Sequence, residues 1–233
     1  MKEGIECFEG KAFTGDEMDI GLSLLPYSNR ESTEIINMAH SLQIHNFEIQ
    51  FGNSDFLTGG LERNEIFSVH ATKDLLEKDI TAFCEEIQRL KAFCEAYSCK
   101  RIVFHPNPDC GKNEMYFVVL KTELSDYRIC IENTCENLEG LLPLLSKYHF
   151  YITWDSAHAA YHNHYVLDKL ESIEYFHIRG FSENKRYVSL VETERSDIVP
   201  IKSGTVYMLE YPYGNMYELL LDWKLLKKTL RSL

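Results

Sequence analysis

At 233 residues, with 45% apolar and 26% charged side chains, the chain can bury a full core as one large domain or two small ones, and disorder is excluded. Lysine and arginine number 24 against 36 aspartates and glutamates; the net charge of −12 and pI near 5.2 would repel a phosphate backbone and disfavour duplex DNA as a partner. The acidic, interrupted N-terminus, the lack of any bilayer-length apolar run, and seven cysteines without paired Cys-x-x-Cys units together lead us to expect reduced thiols, a cytoplasmic location and no membrane contact.

Residues 1–17 read as an extension, and residues 18–233 as one catalytic domain. Apolar runs follow in order: "MDIGLSLL" (18–25), "NFEIQF" (46–51), "IFSVHA" (66–71), "RIVFHP" (101–106), "RICIEN" (128–133), "FYITWDS" (150–156), "EYFHIRG" (174–180) and "TVYMLEYP" (205–212). Between them, "ESTEIINMAHSL" and "EKDITAFCEEIQRLKAFCEAY" have helical spacing, with Ile80, Phe83, Cys84, Ile87, Leu90, Phe93, Cys94 and Tyr97 on one face of the second. "NLEGLLPLLSKY", "NHYVLDKLESI" and "MYELLLDWKLLKKTL" have it too, with Pro143 marking an early turn or kink in the first. Near-continuous Val/Ile/Phe strands alternating with helices predict a parallel sheet covered by helices, and eight such units in this length predict an α/β fold, a single (β/α)8 TIM barrel. The stretch 181–204 has no helical stripe and contains Pro200, so the seventh helix is expected to be missing or reduced to a loop and a short strand.

The strands end on polar residues: His70, His105, Glu132, Asp155 with His158 after it, His177, and Glu210, spaced 22 to 35 residues apart, about one strand–helix unit each. A lone histidine or buried glutamate usually has a hydrogen-bonding or ion-pairing role. Three carboxylates and three histidines meeting at one barrel mouth would instead repel and leave donors unmatched without a cation among them. Mixed imidazole and carboxylate donors suit zinc, manganese or ferrous iron better than magnesium or calcium, and six donors are enough for one or two ions.

This set resembles the xylose-isomerase-like TIM-barrel superfamily, which holds sugar isomerases and epimerases and the endonuclease IV family (AP endonuclease family 2). "FHPN" (104–107), "IENT" (131–134), "DSAHA" (155–159) and "LEYP" (209–212) are similar to endonuclease IV strand-end motifs, with "VHA" and "FHIRG" in the third and seventh places. The resemblance implies a metal set of His70, His105, Glu132, Asp155, His177 and Glu210. His70 and His105 would hold one ion, Asp155 and His177 the other, and Glu132 and Glu210 would lie between or beside them. In a one-ion isomerase, Glu132, Asp155, His177 and Glu210 would form the whole site. The chain departs from the endonuclease pattern where a third ion would bind: Ile198 stands at the expected histidine, with only Asp197 nearby. The third site is expected to be absent or rebuilt, and His158 is expected to hydrogen-bond substrate.

Two chemistries follow. One is hydrolysis of a phosphate ester or diester in a small or non-duplex substrate by zinc or manganese, with Arg179, Lys185 and Arg186 neutralising phosphate oxygens. The other is a sugar or sugar-phosphate isomerase or epimerase in which Glu132 and Glu210 act as acid and base through an enediolate. In either chemistry Glu132, Glu210 and His158 are the catalytic candidates.

Overall fold

A computed structural model describes residues 19–24, 29–52, 60–164, 171–182, 187–193, 202–210 and 215–231. Eight parallel strands close into a barrel: β1 (Asp19–Ser23), β2 (Asn46–Gln50), β3 (Ile66–His70), β4 (Arg101–Phe104), β5 (Arg128–Glu132), β6 (Tyr151–Asp155), β7 (Ile173–Ile178) and β10 (Val206–Leu209). Each pairs with its neighbour in sequence, and β10 closes the ring between β7 and β1. Between β7 and β10 lie a two-stranded ribbon, β8 (Gly180–Phe181) and β9 (Tyr187–Val188), and a 3-10 turn at Leu190–Glu192. No α-helix occurs there among the described residues, as the sequence led us to expect.

The helices are α1 (Asn29–Ser41), α2 (Ile80–Tyr97), α3 (Asn113–Glu123), α4 (Leu138–Tyr148), α5 (Ser156–His162) and α6 (Met216–Arg231). Local chemistry sets their ends. Asp79 caps α2 by accepting from the backbone N–H groups of Thr81 and Ala82, each at 3.1 Å, and Ser98 ends it in the left-handed region at φ 58°. Two details differ from expectation. Helix α3 was not foreseen because Met115 to Leu120 are six apolar residues in a row, which hides the helical period; Met115 and Val118 are exposed while Tyr116, Phe117 and Leu120 are buried. The second connection has only a 3-10 turn, Arg63–Glu65, among its described residues, so not every strand is followed by a helix. Pro143 lies inside α4. The expected helix "NHYVLDKLESI" lies largely outside the described residues, as does the 1–17 extension.

Alternation along the strands decides what the barrel holds. In β5, Ile129 and Ile131 face the helices with Phe104, Trp154 and Phe176, whereas Cys130 faces inward with Val103, Tyr175, Val206 and Met208. Glu132 is the next inward residue, so the period of two places it at the mouth. Gly21 also matters inside: a Cβ there would lie 2.7 Å from Met208 Sδ and from the Asn46 carbonyl, so the methionine occupies the space a side chain would need. At the floor, pairing slips by one residue between β2 and β3 and between β6 and β7. The extra residues, Phe67 and Glu174, both pack against Arg101, whose guanidinium lies 3.8 Å over the Phe67 ring and 2.8 Å from Glu174. The six described cysteines are free, and no described helix is long and apolar enough to cross a membrane.

Candidate metal centre

All six predicted ligands reach the mouth, where they form two groups of converging donor atoms that share Glu132. In the first, His70 Nε2 and His105 Nε2 lie 3.0 and 3.1 Å from Glu132 Oε2, with the two rings nearly perpendicular. The second joins Glu132 with Asp155, His177 and Glu210; His177 Nδ1 is 3.3 Å from Glu210 Oε2 and 3.8 Å from Glu132 Oε2. Glu132 therefore occupies the shared position, and Glu210 belongs to the second group alone.

Neighbouring residues aim these donors. His70 Nδ1 donates to the Ala71 carbonyl at 2.8 Å, which turns Nε2 toward Glu132. Asn133 clasps β5 to β6: its Oδ1 accepts from the Asp155 N–H and its Nδ2 donates to the Asp155 carbonyl. Asp155 Oδ1 caps α5 through the His158 N–H at 2.7 Å, which leaves Oδ2 facing the mouth. Ser156 clasps the ends of β6 and β7 through both backbone groups of Arg179.

One residue in contact with the site was not singled out from the sequence. Glu48, buried in mid-β2, sits 3.1 and 3.2 Å through its two oxygens from His177 Nε2 and also accepts from Ser68 Oγ and the Tyr175 hydroxyl. With Nε2–H held by Glu48, His177 must offer Nδ1 to the mouth, the arrangement by which an outer carboxylate orients a metal-ligating histidine. The signal was present: Glu48 interrupts the apolar run "NFEIQF" just as Glu132 interrupts "RICIEN", but it lies at a strand's middle rather than its end.

The electrostatics are those of a site built around positive charge. Burial raises the Glu132 carboxyl, but His105, His70 and His177 outweigh this and hold it well below the carboxylate range. Burial lowers His70, but the hydrogen bond to Glu132 and the charges of Glu48 and Glu132 overcome it and lift the imidazole to about 9. Burial, opposed chiefly by Arg179, leaves the Asp155 carboxyl raised to about 6, whereas for Glu210 burial loses to Arg179 and His177 and the carboxyl falls to about 2. Burial keeps His158 low, hence neutral near pH 7. Asp155 Oδ2, His177 Nδ1 and Glu210 Oε2 are buried at the mouth without a well-aligned hydrogen bond; their contacts are ion pairs, Arg179 with the two carboxylates and His177 with Glu210. Convergent, loosely aligned nitrogen and oxygen donors of this kind fit a divalent cation.

Arg179, expected to meet substrate phosphate, is buried with its guanidinium 2.8 Å from Asp155 Oδ2 and 3.5 Å from Glu210 Oε2. His158 Nε2 is 3.7 Å from Glu132 Oε1 and lines a cavity of about 690 Å³ beside the ligands, together with Pro106, Asn137, Tyr161, His162 and Phe181. Lys185, Arg186, Asp197 and Ile198 lie outside the described residues.

No family model and no curated protein matches the chain. Solved structures do. AsfvAP:AG superposes with a TM-score of 0.59 at 14% identity, over 92% of this chain and 99% of that one. SacUVDE superposes at 0.57 and 11% identity, over 91% and 99%. What these likenesses show is the fold alone, the closed eight-stranded parallel barrel.

Proposed function

We propose that the chain is a divalent-metal-dependent hydrolase of phosphate esters or diesters. The observation that carries this reading is that Glu132 belongs to both donor groups, because a carboxylate common to two ligand sets would hold two ions close enough to act on one phosphoryl group. The solved structures of the same fold support it, since AsfvAP is an AP endonuclease and SacUVDE a UV damage endonuclease. Zinc or manganese suits the donors, and bound there it would supply Lewis acidity to a phosphoryl oxygen and to the attacking water. His70 and His105 hold one flank of Glu132, and Asp155, His177 and Glu210 the other. Neutral His158, on the cavity side of Glu132, accepts or returns a proton at Nε2. Arg179 balances Asp155 and Glu210 and presents positive charge to a phosphate at the same edge.

Acidic net charge does not exclude duplex DNA, because both neighbours are DNA endonucleases. The cavity favours a small phosphoester or a single unpaired nucleotide: among the described residues its lining has no lysine or arginine and includes Glu136. A sugar isomerase is the second reading, supported by the completeness of Glu132, Asp155, His177 and Glu210 as a one-ion set.

The deciding variant is His70→Ala with His105→Ala, assayed on a dinucleotide, an abasic duplex and a panel of sugar phosphates, with and without chelator. For the hydrolase, the wild type cleaves the dinucleotide with two metal equivalents at the mouth, and the double variant loses one of these and nearly all turnover while remaining folded. Unchanged metal content with turnover of a sugar phosphate would establish the isomerase instead. Cleavage of the duplex alone would retain the hydrolase and remove the small substrate.

A further inference from the structure

We propose that His40, His45 and Glu65 form a separate divalent-cation site of the zinc class, at the end of the barrel opposite the mouth. His45 immediately precedes β2 and Glu65 immediately precedes β3, so both stand at the N-terminal ends of strands whose C-terminal ends point to the mouth. His40 lies in the last turn of α1.

A turn brings the two imidazoles together. Gln43 takes the left-handed conformation at φ 62°, its N–H donates to the His40 carbonyl, and the Ile44 N–H reaches back to the Ala39 carbonyl, each at 3.0 Å. This is a Schellman ending, and it reverses the chain so that the rings of His40 and His45 stack at 5.5 Å with 24° between their planes. Phe47 packs edge-on against His40 and fixes its ring.

Both rings aim at one oxygen. His40 Nε2 is 3.0 Å and His45 Nδ1 2.9 Å from Glu65 Oε1. The other oxygen, Oε2, accepts from the Glu62 backbone N–H at 3.0 Å, so the carboxylate is held in place with Oε1 presented to the imidazoles. Zinc bonds to imidazole nitrogen and carboxylate oxygen are about 2.0 to 2.2 Å, which at tetrahedral angles sets donors about 3.3 Å apart. Opening the two contacts to Glu65 by about 0.3 to 0.4 Å, with the two imidazole nitrogens, which lie within 4.8 Å of each other, settling to the same spacing, would therefore admit the ion. Two imidazoles and one carboxylate favour zinc-like ions over magnesium or calcium, and the half-exposed His45 leaves coordination positions open to water. The site would staple the end of α1 to the entries of β2 and β3.

The test is equilibrium dialysis of the full chain against zinc chloride, followed by metal analysis. His45→Ala and His40→Ala should each hold one equivalent fewer than the wild type, with mouth occupancy and any turnover unchanged. In a Glu132→Gln background the site should still load. An undiminished zinc count in His45→Ala would overturn the proposal. His45 is 58% exposed, so its replacement leaves the core intact. Should His40→Ala fail to fold, imidazole nitrogen–proton spectra of the wild type give an independent reading. The ring signals of His40 and His45 must shift saturably as zinc is added, and signals that stay unmoved while zinc binds elsewhere would equally overturn the proposal.

Discussion

The two ends of the barrel are both charged, yet they solve burial differently. At the floor, Glu174 is matched by Arg101 at 2.8 Å and Arg128 at 2.6 Å, and Arg101 also donates to the Phe67 carbonyl and stacks on its ring. At the mouth, three carboxylates and three histidines converge in two groups of donors, and Asp155 Oδ2, His177 Nδ1 and Glu210 Oε2 have ion-pair contacts but no well-aligned hydrogen bond. A tightly matched charged pair stabilises a fold; convergent donors of mixed type with loose alignment are organised for something not of the chain.

The contrast breaks most readily at Glu132. Glu132→Gln keeps the shape and removes the shared negative charge, so metal analysis should find a marked fall at both donor groups and kinetics a loss of turnover of at least about 100-fold. Full metal content in that variant would make the mouth as self-sufficient as the floor.

Glu48→Gln sharpens the contrast one layer deeper. It preserves a hydrogen-bonding oxygen for Ser68 and Tyr175 but removes the charge that holds His177 Nε2–H, and competition titration should show metal affinity weakened roughly 10- to 100-fold. Unchanged affinity would reduce Glu48 to a core residue.

The pH response is smaller and has a definite sign. His70 is raised to about 9, so near pH 7 an incoming cation must displace its proton. Metal affinity should rise between pH 7 and 9 by up to about tenfold per unit for each proton displaced, with proton release visible by calorimetry in buffers of different ionisation heat. Without metal the linkage runs the other way: His70's contribution to stability is fully present below about 6.5, its unfolded value, and is lost as pH rises through about 9. Affinity flat across this range would show that His70 is no ligand.

The smallest effect on the centre is expected from the floor. Glu174→Ala leaves Arg101 without its carboxylate and should cost about 2 kcal/mol in denaturant unfolding, less than for a fully buried pair because both side chains are partly exposed. Metal content should not change; a loss of metal there would mean the two ends are coupled.

Much of the molecule was legible because strands ending in His70, Glu132 and Asp155 carry their own signal, a polar residue where the apolar run should continue. Helix α3 was not legible, since an unbroken apolar run has no period to read. Glu48 was missed for a related reason: the period of two tells that it faces inward but not which residue of a strand far along the chain it meets.

The sequence by itself determined the alternation of strands and helices, the reduced seventh connection and the residues at the mouth, because inward and outward positions follow from local periodicity. Only the tertiary structure decided that Glu132 stands between two donor groups, that Arg179 pairs with Asp155 and Glu210, that Glu48 orients His177, and that His40 and His45 converge on Glu65. Those contacts depend on how a closed ring brings together residues 20 to 129 positions apart, a distance at which no local pattern in the chain carries information.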